Sequence, residues 1–261
     1  MQALVLRSQY HNISDFHKAK RDGKHNMTLT ELEQEVPALK EYTQSMPDEI
    51  RRRCTVRTHP AGSIIHQKHM ELDYFGIVAK GKNRVINEFE NGNVYMIESN
   101  KAIDFIGEVT ILAGMPHTSV TIEAVTDNVV AYISRKDAET WLKTDMNILG
   151  LAARRIAFKL YRSSYNNGVK LFYPPSYLLL DYIVKYGSQN GMAQENPCTS
   201  LTIPHTRQSM QEEIGVNVKT LNRTIHQLKE EGFFSVCKGK ITFTKKQYDQ
   251  AIQWLETEKA N

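Results

Sequence analysis

Near Lys136 the hydrophobic period of this 261-residue chain changes. From Thr55 to Ser134 the apolar residues come in short β-branched and aromatic runs, whereas from Ala138 onward they recur every three to four residues. A period near two suits a pleated strand with one buried face and a period near 3.6 suits a helix, so the two stretches demand different architectures. The length accommodates two modest domains.

The strand-like runs are Ser63-Ile64-Ile65-His66, Tyr74 to Val78, Arg84-Val85-Ile86, Val94 to Ile97, Val120-Thr121-Ile122 and Val129 to Ile133. The turn pairs Ala61-Gly62, Lys80-Gly81, Asn91-Gly92 and Ala113-Gly114 separate them, a spacing that predicts an antiparallel barrel or sandwich. Ahead of it, Leu29, Leu32, Val36 and Leu39 predict a helix interrupted by Pro37, and Met46-Pro47-Asp48-Glu49 predicts a second helix start. The first 27 residues are polar and weakly periodic.

Beyond the strands, Trp141, Leu142, Leu149, Ala152, Ile156, Leu160 and Ser163 lie at near-heptad spacing before Asn166-Asn167-Gly168, which predicts one long helix over 138–167. Its seam fits a coiled coil between two subunits, or a helix lying on its own barrel. The remainder reads as helices followed by a hairpin, with Phe233 to Val236, a turn at Lys238-Gly239-Lys240, and Ile241-Thr242-Phe243. That is the outline of a winged helix.

The segment from Thr206 to Gly232 carries the most chemistry. Met210 and Ile214 form an apolar i, i+4 stripe, Gly215 permits a turn with positive φ, and Asn217 is a suitable N-cap for the next helix. That helix repeats Val218, Leu221, Ile225 and Leu228 on one side and spans about 21 Å at 1.5 Å per residue, the right size for a DNA major groove. The opposite side presents Lys219, Asn222, Arg223 and His226. Arg and Lys donate to guanine O6 and N7, and Asn pairs with adenine N6 and N7. Thr206, Arg207 and Gln208 open the preceding helix where phosphate is expected, and Lys238 and Lys240 would add a flanking phosphate contact from the wing.

Composition narrows the remaining classes. A net charge of +4 permits an anionic partner without requiring one. The three cysteines, Cys54, Cys198 and Cys237, are far apart, which excludes a disulfide framework and a cluster built from sequence neighbours and fits a reducing cytoplasm. Neither an apolar export segment nor a membrane span is read.

Three stretches together resemble the CRP/FNR superfamily (cyclic AMP receptor and fumarate-nitrate regulator): Gly76 to Gly81 followed by Asn91-Gly92; Asp104-Phe105-Ile106-Gly107-Glu108 leading through Pro116 to Thr118-Ser119; and Thr206-Arg207-Gln208 to Arg223. The resemblance covers roughly Arg53 to Lys246. It implies an α+β chain with an N-terminal antiparallel β-roll of the cyclic-nucleotide-binding jelly-roll kind, a long dimerisation helix and a C-terminal winged helix-turn-helix domain. The expected boundaries are an N-terminal extension over 1–27, an effector-sensing roll with flanking helices over 28–144, a dimerisation helix over 145–168 and a DNA-binding domain over 169–261. It further implies a cytoplasmic homodimeric transcription regulator, not an enzyme, with a palindromic double-stranded operator and RNA polymerase as partners and no membrane.

The resemblance places a small-molecule effector among Gly107, Glu108, His117, Thr118 and Ser119, facing Arg155, Lys159 and Ser163 of the long helix. Cyclic-nucleotide-binding members hold the cyclic phosphate with arginine where this chain has His117, and cap the base with Thr-Ser where it has Lys159-Leu160. Histidine lacks the bidentate fork, so an effector other than cyclic AMP, or none, is expected. Val218, Lys219 and Arg223 stand where the cyclic AMP receptor carries an Arg-Glu pair and an Arg, which implies a different half-site. No metal or iron-sulfur cofactor is expected, while His59, His66, His69 and His117 leave haem open. Two alternatives are a cupin-like metal enzyme using His66, His69 and Glu71, and an effector-binding protein that does not bind DNA.

Overall fold

A computed structural model describes residues 27–90, 92, 94–194 and 198–260, with side chains described throughout except at 165–171 and 259–260. The expected extension over 1–27 lies outside the described residues save Met27, and the expected Asn91-Gly92 turn is described only at Gly92.

The N-terminal region is helical up to the roll: α1 (Leu29–Glu35), a 3-10 turn at Pro37–Leu39, α2 (Lys40–Thr43) and α3 (Asp48–Arg53). Helix α1 opens on a capping box in which Thr28 and Glu31 satisfy each other's backbone N–H groups. Eight strands follow: β1 (Thr55–His59), β2 (Ile64–His66), β3 (Tyr74–Lys80), β4 (Lys82–Glu88), β5 (Val94–Lys101), β6 (Asp104–Ile106), β7 (Thr121–Ala124) and β8 (Asn128–Ser134). They pair antiparallel into two four-stranded sheets, ordered β1-β8-β3-β6 and β2-β7-β4-β5. Phe75, Ile77, Val78, Ile106, Val130 and Ile133 fill the core, where Trp141 and Ile148 seal it from the following helices. Strands β1 and β6 are not legible in the sequence, because Thr55–His59 holds one aliphatic residue and Asp104–Ile106 is only three residues long.

Between β6 and β7 lies α4 (Glu108–Leu112), and beyond β8 the expected single helix is two: α5 (Arg135–Thr144) and α6 (Met146–Phe172). Asp145 breaks them. Its carboxylate accepts from the Asn147 N–H at 2.8 Å and from Trp141 Nε1 at 2.9 Å, a local bond that competes with helical pairing. The expected stop at Asn166-Asn167-Gly168 does not occur, and α6 runs on to Phe172. A helical glycine costs only about 1 kcal/mol, whereas Pro174 disfavours helical geometry in the residue before it.

The C-terminal domain comprises α7 (Pro175–Gln189), β9 (Ser200–Thr202), α8 (Arg207–Ile214), α9 (Val218–Glu230), β10 (Ser235–Cys237), β11 (Lys240–Thr244) and α10 (Lys245–Ala260). The hairpin gains β9 as a third strand, in the order β10-β11-β9. Its own core includes Leu179, Met210, Leu221, Leu228, Phe234 and Phe243. Among the described residues no helix is long and apolar enough to cross a membrane.

Candidate effector pocket and nucleic-acid interface

Gly107 joins β6 to α4 with φ of 91°. A Cβ at this position would stand 2.9 Å from Leu72 Cδ2 and 3.0 Å from the Tyr74 carbonyl, so both conformation and space require glycine. The turn delivers Glu108 into the interior. From α6, Lys159 Nζ donates to Glu108 Oε1 at 2.7 Å and lies 3.1 Å from Asp104 Oδ2 and 4.0 Å from Glu98 Oε1. Arg155 and Lys159, four apart, and Arg162, three further on, share the helix face turned to the roll. Arg162 Nη2 donates to Glu98 Oε2 at 2.7 Å and to Asn100 Oδ1 at 2.8 Å, and Arg155 donates to the Ile103 carbonyl and to the Tyr42 hydroxyl.

One ammonium is thus divided among three carboxylates. Burial would lower the Lys159 pKa, but the charges of Glu108 and Asp104 outweigh it and hold the amine protonated above the ordinary lysine range. Burial pushes the Glu108 carboxyl upward, because the shared lysine does not fully compensate it and Asp104 adds a like charge.

Of the effector residues read from the sequence, the structure joins Glu108 directly to Lys159 and brings Arg155 beside Asp104. Thr118 is buried, its hydroxyl donating to the Gln67 carbonyl at 3.3 Å, whereas His117 and Ser119 are exposed and Ser163 is half-buried. Glu98 and Arg162 were not singled out by sequence reasoning, and Asp104 entered only as the first residue of the Asp104 to Glu108 stretch, with no role at the site. The 155/159/162 spacing, which puts three cations on one side of a helix, was the available signal. A cavity of about 450 Å³ opens beside the cluster, walled by Lys82 and Lys101 of the roll, Asp104, Arg155, and two residues of the C-terminal domain, Gln189 and Glu213.

The domains also meet through an ion pair. Arg84 of β4 reaches Glu212 of α8 through Nη1 at 2.6 Å and Glu123 of β7 through Nη2 at 3.0 Å.

The α6 seam resolves into two faces. Ala152 is buried and Leu149, Ile156 and Ser163 are half-buried, while Trp141 and Leu142 belong to α5 and sit in the core. Leu160, by contrast, is on an exposed side with Met146, Gly150, Ala153, Ala157 and Ser164, at alternating spacings of four and three.

In the helix-turn-helix, the Thr206 hydroxyl accepts from the Ser209 N–H at 3.0 Å and the Asn217 carboxamide from the Thr220 N–H at 2.8 Å, capping α8 and α9. Gly215 takes φ of 84° between them. Leu221, Ile225 and Leu228 are buried, Val218 is half-buried, and Lys219, Asn222, Arg223 and His226 are all exposed. Lys238 is exposed at the wing tip, but Lys240 Nζ is committed to the Pro204 carbonyl at 2.7 Å and the His205 carbonyl at 3.1 Å. Arg207 is half-buried against Met210, and Gln208 donates to Glu212 at 3.1 Å.

The cupin constellation does not form: His66 is buried with Nδ1 3.0 Å from the Tyr74 hydroxyl, His69 and Glu71 are exposed, and no cluster fit for a metal ion occurs among the described residues.

Residues 56–145 match the cyclic nucleotide-binding domain family. A structure described as a transcriptional regulator of the crp/fnr family from Eubacterium rectale superimposes with a TM-score of 0.69 at 15% identity, covering 83% of this chain and 98% of that one. The chain has the CRP/FNR fold. The c-di-GMP responsive global regulator CLP of Xanthomonas campestris is similar at a TM-score of 0.63 and 12% identity, over 74% of this chain and 95% of its own. A CooA variant from Carboxydothermus hydrogenoformans is similar at 0.60 and 14%, over 88% and 97%. No curated protein matches in sequence. The order of parts in the CRP/FNR fold is the one met here: a roll, a long helix and a winged helix.

Proposed function

We propose that this chain is a sequence-specific DNA-binding transcription regulator. The observation that carries the reading is the division of α9 into an inward apolar stripe and an exposed face of Lys219, Asn222, Arg223 and His226. A side that packed on the rest of the domain would not leave four hydrogen-bonding side chains free to enter a groove. Thr206, Arg207, Gln208, Asn217 and Val218 flank that face, and Lys238 extends it from the wing. Lys240 acts here by bracing the wing against the loop that precedes α8.

The chain works as a homodimer through the outer face of α6, where Gly150, Ala153 and Ala157 let two helices approach closely, and so reads a palindromic operator, with RNA polymerase as the further partner. The effector site lies where the roll faces α6, around Glu108, Arg155 and Lys159, with Gly107, His117, Thr118, Ser119 and Ser163 around it. Cyclic AMP does not suit it, because His117 stands where cyclic-nucleotide-binding members hold the cyclic phosphate with arginine, and Lys159, tied to Glu108, stands where they cap the base with a hydroxyl. A ligand acts by binding one arrangement of roll and winged helix more tightly than another. Selection of bound duplexes from random DNA tests the reading: enrichment of a palindrome supports it, and recovery of unrelated sequences refutes it.

A further inference from the structure

We infer that the cavity between the roll and the C-terminal domain is the binding site of a small phosphorylated polyol such as a sugar phosphate. This inference rests on the regulator reading above and specifies its effector, seated in the cavity that borders the site around Glu108 and shares Arg155 and Lys159 with it. Two observations define the ligand's chemistry.

The first is a pair of like charges with no counter-ion. Lys82 and Lys101 are direct partners across the antiparallel β4–β5 ladder and both line the cavity. Like charges in that position repel. Among the described residues neither ammonium has an acidic partner, and Lys82 is close enough to His205 of the C-terminal domain to hold that imidazole's pKa down, after burial has lowered it. A phosphate monoester set between the two amines would neutralise both.

The second is an unfilled acceptor. Asp104 is buried on the cavity wall, its Oδ2 held by Lys159, while its Oδ1 has no hydrogen-bond partner and Arg155 Nε stays 3.9 Å away. A buried carboxylate oxygen left unbonded is costly, and a hydroxyl donor is the group that relieves it. An anion without a hydroxyl would leave that oxygen unpaired, so the ligand carries hydroxyl donors as well as phosphate. The volume of about 450 Å³ falls within the range of small-molecule sites. Because Gln189 and Glu213 form the far wall, an occupant touches both domains and biases their arrangement.

Titration calorimetry of the full chain with ribose 5-phosphate, inorganic phosphate and ribose tests the assignment. Ribose 5-phosphate is expected to bind saturably and more tightly than either fragment. Lys101→Gln and Asp104→Asn are each expected to weaken it about tenfold or more. Inorganic phosphate binding as tightly as ribose 5-phosphate, no saturable heat with ribose 5-phosphate, or unchanged affinity in both variants would each overturn the inference. Should Asp104→Asn fail to fold, Lys101→Gln, which lies on an exposed strand end, decides alone. Binding of operator DNA is measured separately, so loss of DNA recognition in the wild-type chain would count against the regulator reading, whatever the calorimetry gives.

Discussion

Arg84 on the roll and Glu212 on the first helix of the helix-turn-helix are joined at 2.6 Å, with Glu123 on the other side of the same guanidinium. One arginine therefore ties the roll to the C-terminal domain. Replacing it with methionine leaves two carboxylates facing each other across the domain boundary, at a cost of about 1–3 kcal/mol. Hydrogen exchange should report faster opening of α8 in Arg84→Met while the roll core stays protected. Equal protection of α8 in both proteins would refute the coupling.

Lys159 carries a second prediction, about pH. Its pKa is raised in the folded chain, so the stabilisation it provides is complete below the ordinary lysine value of 10.5 and is lost as pH climbs through the folded value above it. Glu108 is also raised, so protonation favours the fold, and stability falls as pH rises through its folded pKa. In Lys159→Met three carboxylates lose their shared cation, and a loss of about 3–5 kcal/mol is expected at neutral pH. Partial recovery on acidification should follow. Urea titrations at several pH values check this, and a loss independent of pH would contradict it.

Gly107→Ala should destabilise the roll by about 1–3 kcal/mol, since it combines a left-handed φ with a 2.9 Å approach to Leu72. Gly92→Ala is the control, because open space surrounds it although its φ is also positive. Thermal unfolding that gave both variants the same shift would remove the steric part of the argument.

The outer face of α6 predicts an oligomer. Ala153→Glu and Leu160→Glu place charge where two helices would meet and should convert a dimer to monomer in sedimentation experiments, with the roll still folded. An unchanged dimer would direct the interface elsewhere.

Much of the fold was legible in the sequence, and the failures have physical causes. The runs at Tyr74 and Val129 announce strands because β-branched residues and glycine punctuation act over a few residues. Strand β1 is silent because a single valine carries it, and β6 because three residues hold no period. The Asp145 break is local chemistry that looked like an ordinary helix residue. In the pocket, Gly107 and Glu108 could be read from their motif, but Asp104, Glu98 and Arg162 converge only through tertiary packing, with Arg162 lying 58 positions after Asp104 in the chain. The exposed face of α9 was readable from the sequence, since a helix of regular period fixes which residues share a side. Lys240 was not, because its carbonyl partners lie 36 and 35 residues away.

The central claim is that the exposed face of α9 reads bases, and a salt-dependent titration of a selected duplex tests it most directly. Wild-type chain should bind with an affinity that falls steeply with salt, by about 0.9 in the slope of log K for each phosphate contact. Arg223→Ala should cost about 1–3 kcal/mol on the selected sequence and much less on unrelated DNA, while Lys238→Ala should lower the slope by about one contact on both. Equal affinity of Arg223→Ala and wild type for the selected duplex, or an affinity indifferent to salt, would contradict the account.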